Sequence, residues 1–96
     1  NIYDPFKADT YSLGVFLFTL IFGHPPYELP ILKDKYYACA KTYGWKLTIE
    51  AYDRKRSFQH RSLSRDAIDL MVKLLSFDPK TRLSMKQVLA HPWLKN

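Results

Sequence analysis

The stretch Asp9-Thr10-Tyr11-Ser12-Leu13-Gly14-Val15-Phe16-Leu17-Phe18-Thr19-Leu20-Ile21-Phe22-Gly23 decides the fold. It predicts a helix from Asp9 to Gly23. The Asp9 carboxylate suits an N-cap, where it accepts from free N–H groups of the first turn. Gly23 suits the left-handed residue that follows a helix, and Pro25-Pro26 forbid its continuation. Leu13, Val15, Phe16, Leu17, Phe18, Leu20, Ile21 and Phe22 place apolar side chains on every face, the pattern of a helix buried all round. A chain of 96 residues has little other material to wrap such a helix. Missing packing partners and an apolar patch on this helix are therefore expected.

Downstream, Pro25-Pro26-Tyr27 to Pro30 reads as a loop. A short helix is expected from an Asp34 N-cap to about Thr42, ended by Gly44. From Trp45 to Arg61 no period of 3.6 or 2 is sustained, and an ordered loop tethered by Trp45 and Phe58 is expected. A helix is predicted from Ser64, its N-cap, to about Phe77, with Ala67, Ile68, Leu70, Met71, Leu74 and Leu75 as its apolar stripe. Asp78-Pro79 stops it. Ser84-Met85-Lys86-Gln87 reads as a capping box opening a short helix to about Ala90, after which His91-Pro92-Trp93 packs the chain end. No strand ladder is credible, so the fold class is all-α.

Composition narrows the function. Hydrophobic residues make up 47% and charged residues 25%, as in a globular chain rather than a disordered one. Three isolated glycines, Gly14, Gly23 and Gly44, admit neither G-x-G-x-x-G nor G-x-x-x-x-G-K-[ST], so no glycine-rich phosphate cradle is present. The apolar run from Leu13 to Phe22 is too short to span a bilayer, and no membrane association is expected. One cysteine, Cys39, excludes an internal disulfide framework and suits a reducing compartment. With no N-x-[ST] acceptor and no basic-then-apolar leader, a cytoplasmic or nuclear location is expected.

The net charge is +6. Arg54-Lys55-Arg56, with His60, Arg61 and Arg65, could meet phosphates while Trp45 and Phe58 stack bases. A solvated basic loop with anchoring aromatics explains the same residues, and nucleic acid is the less favoured partner. Ser57, after three basic residues, could accept a phosphate. His24, His60, His91 and Cys39 lack zinc-ligand spacing, and no G-x-S-x-G elbow supports a hydrolase.

Four stretches in order carry a resemblance. Asp9-Thr10-Tyr11-Ser12-Leu13-Gly14-Val15 is followed by Gly23-x-Pro25-Pro26-Tyr27, then Leu74-Leu75-x-x-Asp78-Pro79-x-x-Arg82, then His91-Pro92-Trp93. Together they resemble the C-terminal lobe of a eukaryotic-type protein kinase domain, over nearly the whole chain. The ending is more similar to serine/threonine kinases of the calmodulin-dependent and AMP-activated type than to tyrosine kinases. The resemblance implies that residues 1–96 are a partial kinase domain, the C-terminal half of the C-lobe. It implies that the parent protein is a transferase moving the ATP γ-phosphate to protein serine or threonine.

It also implies roles. Asp9 matches the aspartate that holds backbone N–H groups of the catalytic loop, a plain N-cap being the simpler account. Gly14 belongs to the same signature. Arg82 matches the arginine that pairs with the glutamate of the A-P-E motif, which would fall before Asn1. A buried arginine without its carboxylate costs ~3–5 kcal/mol. Arg82 is thus expected to be solvated or to have a substitute such as an aspartate. The helix from Asp34 matches one that docks substrates and regulators, with Tyr36, Tyr37 and Tyr43 as its aromatic surface, or with one or two of them packed on the lobe.

Kinase phosphoryl transfer needs the V-A-I-K lysine, the H-R-D-x-x-x-x-N loop and D-F-G. None occurs. His60-Arg61-Ser62-Leu63 imitates H-R-D-L but has serine in place of the base and Ala67 in place of the metal-binding asparagine. Catalytic, cofactor and metal residues are therefore expected to be absent from this chain, with ATP and magnesium belonging to the intact parent. The expected partners are the N-terminal part of the kinase domain and a protein substrate or regulator. A free-standing, non-catalytic helical interaction module is the alternative.

Overall fold

The computed structural model describes residues 5–56 and 61–95. Its elements in chain order are α1 (Pro5–Phe22), α2 (Lys35–Tyr43), α3 (Trp45–Arg56), α4 (Arg65–Leu74), α5 (Met85–Leu89) and α6 (Pro92–Lys95), and no strand occurs among the described residues. The all-α expectation holds.

Helix α1 begins a turn earlier than the Asp9 N-cap predicted. Pro5 is its first residue, where a missing N–H costs nothing and a fixed φ suits the helix. Asp9 therefore lies inside α1, exposed, and caps nothing. The hydroxyls of Thr10 and Ser12 donate back to the carbonyls of Lys7 (2.9 Å) and Ala8 (3.2 Å), which satisfies them within the helix. Gly23 ends α1 as expected: its φ is +82° and its N–H donates to the Thr19 carbonyl at 2.8 Å.

One side of α1 packs on α4. A Cβ built on Gly14 would lie 2.8 Å from Leu74 Cβ, so only glycine lets the two backbones come this close. Leu13 and Leu17 continue the seam against Leu70, Leu74 and Val88. Phe18, fully buried, faces the other partners. The opposite stripe stays outside: Phe16 is 60% and Leu20 66% exposed, in line with Asp9 and Ser12. The helix is thus not buried all round, and the apolar patch expected from its sequence is there.

The predicted loop after Trp45 is a helix up to Arg56. Its buried positions are Trp45, Thr48, Ile49 and Asp53, at true helical spacing, but two of the four are polar, which hides the apolar period. Both are satisfied. Thr48 Oγ1 donates to the Gly44 carbonyl at 2.9 Å. The Asp53 carboxylate accepts the Leu63 N–H at 3.2 Å and Arg56 Nη1 at 3.4 Å. Phe58, the other expected tether, lies outside the described residues.

Local caps follow the sequence closely. Asp34 accepts from the N–H groups of Tyr36 and Tyr37 at the start of α2, and Ser64 from Ala67 at the start of α4. Ser84 and Gln87 form a reciprocal capping box at α5. Helix α4 stops at Leu74, short of the predicted Phe77. The chain turns there to lay the Phe77 ring against Trp45, with centroids 5.5 Å apart, and to aim the Ser76 carbonyl at Arg82. After α5, His91 Nδ1 accepts the Trp93 N–H at 3.1 Å, while Nε2 lies 2.8 Å from Asp69 Oδ2. An accepting Nδ1 places the ring proton on Nε2, which donates to Asp69.

Candidate functional site

The loop after α4, the start of α1 and the proline loop converge on Arg82. Its side chain is buried, at 9% exposure. Nε donates to the Ser76 carbonyl (2.9 Å), Nη1 to the Lys7 carbonyl (2.8 Å) and Nη2 to the Phe77 carbonyl (3.4 Å). The guanidinium lies 4.7 Å from the centre of the Tyr11 ring, a cation–π distance. Lys7 Nζ returns a bond to the Arg82 carbonyl at 2.6 Å. Arg82 is thus neither solvated nor bonded to an aspartate. Its substitute partners are three main-chain carbonyls and a ring, because the turn at Ser76–Phe77 and the first turn of α1 aim their carbonyls at it. Carbonyl dipoles engage three of its five N–H donors and leave the positive charge without a counter-charge among the described residues.

Beside Arg82 opens a cleft of about 360 Å³, lined by Tyr11, Ser12, Tyr27, Tyr37, Phe77 and Arg82 among others. The hydroxyls of Tyr11 and Tyr27 are hydrogen-bonded at 2.7 Å. Burial, helped by that bond, pushes the Tyr11 phenol well above its ordinary range, so it remains neutral. The cleft therefore offers aromatic walls, hydroxyls and one permanent cation, a set suited to a carboxylate on a protein segment.

The expected site residues do not come together. Asp9 stands on the exposed stripe of α1, Gly14 lies in the α4 seam and Arg82 borders the cleft. The three tyrosines divide as well. Tyr37 is half-buried against Tyr27 (5.0 Å) and Phe77 (5.4 Å) and lines the Arg82 cleft. Tyr36, 38% exposed, leans on Tyr52 and His24, and Tyr43 stands 65% exposed at the end of α2. Sequence reasoning missed Tyr11, Tyr27 and Lys7. The two tyrosines stood inside the quoted motifs, but nothing local joins Lys7 to a residue 75 positions away.

Ser57 and His60 lie outside the described residues. Ala67, at the asparagine position of the imitation catalytic loop, is buried in the first turn of α4 with its N–H on Ser64 Oγ. Among the described residues no three of His, Cys, Asp or Glu are grouped to hold a metal ion. No described helix is long and apolar enough to cross a membrane.

A family model, the protein kinase domain, matches residues 2–94. The chain belongs to the protein kinase domain family. It is similar to the probable serine/threonine-protein kinase CCRP1 of Zea mays, 35% identical over 94 residues, which cover 95% of this chain and 13% of that protein. The Aurora kinase of Saccharomyces cerevisiae is 38% identical over 86 residues, 90% of this chain and 20% of the relative. Calcium-dependent protein kinase 17 of Arabidopsis thaliana is 36% identical over 89 residues, 93% of this chain and 15% of the relative. The chain therefore spans a fifth or less of the length of these curated relatives. Within the kinase family this all-α segment carries the D-x-Y-S-x-G helix, the D-P-x-x-R turn and the His-Pro-Trp ending on α1, on the turn after α4 and at the start of α6.

Proposed function

We propose that this chain is the helical base of a serine/threonine protein kinase, the C-terminal half of its C-lobe, which works joined to the residues that bind ATP and magnesium and carry the catalytic loop. The buried charge of Arg82 is the observation that carries this reading. Among the described residues its donors meet only carbonyls and a ring while one side of the site stands open, the arrangement of a socket waiting for a carboxylate. In the intact kinase domain that carboxylate comes from the segment preceding α1, as the family resemblance implies. The apolar stripe of Phe16 and Leu20, flanked by Asp9 and Ser12, supports a second seam with the rest of the domain. Tyr36 and Tyr43, exposed along α2, serve the docking of a protein substrate or regulator. The single free cysteine fits a reducing, cytoplasmic or nuclear setting.

The test is phosphate transfer from labelled ATP with magnesium to a mixed serine, threonine and tyrosine peptide set. The full-length polypeptide is expected to label serine and threonine peptides, and residues 1–96 alone none. Arg82→Ala in the full-length protein should lower kcat/KM at least about tenfold, as expected for losing a charge-assisted bond of ~1.5–3 kcal/mol. Full-length protein that binds its partners but transfers no phosphate would turn the reading to a non-catalytic interaction module.

A further inference from the structure

Between α2 and α3, away from Arg82, lies a slot of about 150 Å³ lined by Tyr36, Cys39, Thr48, Ala51, Tyr52 and Lys55. That volume matches a cavity able to hold one benzene-sized group. It is too small for a nucleotide. Two polar side chains of its floor are already engaged: Thr48 Oγ1 donates to the Gly44 carbonyl, and the Cys39 thiol lies 3.4 Å from the same hydroxyl. The Tyr52 hydroxyl is buried and has no hydrogen-bond partner among the described residues. What the slot presents to a visitor is mainly ring faces, a methyl group and a thiol.

The rim is cationic. Lys55 stands in the wall, and the Lys35 ammonium lies 5.5 Å from the centre of the Tyr36 ring. Residues 46–65 hold six lysines or arginines against two acids, four of the six net positive charges of the chain. Two neighbouring acids, Asp34, whose charge is felt at the Tyr52 phenol, and Glu50, are turned to other groups. Asp34 Oδ1 and Oδ2 each accept two main-chain N–H groups at the entry to α2, and Glu50 faces the groove it shares with Lys46, Arg65 and Asp66.

We propose that this slot receives one aromatic or branched aliphatic side chain of a partner protein segment whose neighbouring residues are acidic. The side chain lies against Tyr36, Ala51 and Tyr52, and the flanking carboxylates meet Lys55 and Lys35. Charge complementarity selects the acidic flanks, and slot volume selects a single apolar anchor. A nucleic-acid base would bring more polar edges than the Tyr52 hydroxyl and Lys55 can meet. A bilayer takes up protruding side chains and has nothing rigid to insert into a concave slot. The inference rests on the docking part of the preceding reading and adds α3 to it as the second wall and the source of charge.

The test uses full-length protein and a fluorescein-labelled peptide with one central phenylalanine flanked on each side by two glutamates. Saturable binding is expected by anisotropy, together with slower alkylation of Cys39 by iodoacetamide, followed by mass spectrometry of the Cys39 peptide. Ala51→Trp, which fills the slot from an exposed position, should weaken binding about tenfold or more, as should replacing the peptide phenylalanine by serine. Lys55→Glu should weaken it several-fold, with the loss shrinking as salt rises. Circular dichroism and a thermal melt establish that the variants fold. Should Ala51→Trp fail there, Lys55→Glu and Cys39 protection decide the matter.

Absent binding, binding indifferent to these changes, or Cys39 alkylation unslowed by saturating peptide would overturn the proposal. So would protection of Cys39 by phosphatidylserine vesicles or polyuridine where the peptide gives none. Phosphate transfer by full-length protein with no peptide binding sinks the slot alone. Peptide binding without phosphate transfer keeps the slot and sinks the kinase reading.

Discussion

The two inner faces of α1 are held in different ways. Toward α4 the contact is a seam of fixed width, set by Gly14 against Leu74 and continued by Leu13, Leu17 and Val88. Toward α2 and α3 the contact is a cluster of rings. Phe18 lies 4.5 Å from Phe22, 5.4 Å from Tyr52 and 6.5 Å from Trp45, centroid to centroid, and Trp45 stacks near Tyr27. The seam has no space for an added atom. The ring cluster accepts several tilts and leaves the indole N–H of Trp45 and the hydroxyl of Tyr52 without partners among the described residues. One face is specified by width, the other by filled volume.

That contrast can be broken most forcefully at Phe18. Phe18→Ala should cost about 3–5 kcal/mol, read as a lower urea midpoint, because the ring is fully buried and its neighbours cannot all collapse into the space. Phe18→Leu, which keeps most of the volume, should cost less than about 1.5 kcal/mol if filled volume is what matters.

The seam is tested by addition. Gly14→Ala should destabilise by about 1–3 kcal/mol through overpacking against Leu74, even though alanine favours a helix over glycine by up to about 1 kcal/mol. A higher urea midpoint in Gly14→Ala would show that the seam has slack.

A smaller effect comes from acid. Main-chain donors, that of Leu29 foremost, hold the Asp34 carboxyl below its ordinary range. At Asp69 partial burial pushes the other way, but the bonds from His91 and Lys73 outweigh it and the carboxyl is also lowered. A depressed folded-state pKa gives stability that is present above the ordinary value of 3.8 and lost as pH falls through the folded value. Thermal midpoints should therefore drop below about pH 4, and Asp69→Asn should flatten part of that drop. An Asp69→Asn profile that overlays the parent would remove the His91–Asp69 contact from the explanation.

The smallest effect is expected at Trp45. Trp45→Phe deletes an unpartnered indole N–H and keeps a ring, so stability should change by less than about 1 kcal/mol. A large loss in a urea melt would mean that the indole fits its site as tightly as Gly14 fits the seam.

Legibility followed range. Asp34, Ser64 and the Ser84–Gln87 box were readable because each cap is closed by N–H groups two or three residues away. The early start of α1 was masked by Asp9, which satisfies the rule for an N-cap while Pro5 satisfies the rule for a first turn. Helix α3 was unreadable as an apolar pattern because its inward stripe includes Thr48 and Asp53, whose partners at Gly44 and Leu63 appear only once the chain is folded. At the candidate site the identity of Arg82 was legible and its environment was not. A motif marks the residue, but no sequence rule tells which carbonyls a turn will aim at it.

Lys7 and Arg82 exchange bonds in both directions, each side chain donating to the carbonyl of the other residue. The pair joins residues 75 positions apart with two bonds, a separation that the packing of α1 on α4 already spans for the most part. Such a clasp cannot form early in folding, when nearby caps and helix pairs are cheaper to assemble. Hydrogen exchange is expected to find this contact opening before the α1–α4 seam. The first turn of α1 and the turn carrying Arg82 thus share one fate. Whatever engages the Arg82 cleft also steadies the opposite end of the chain.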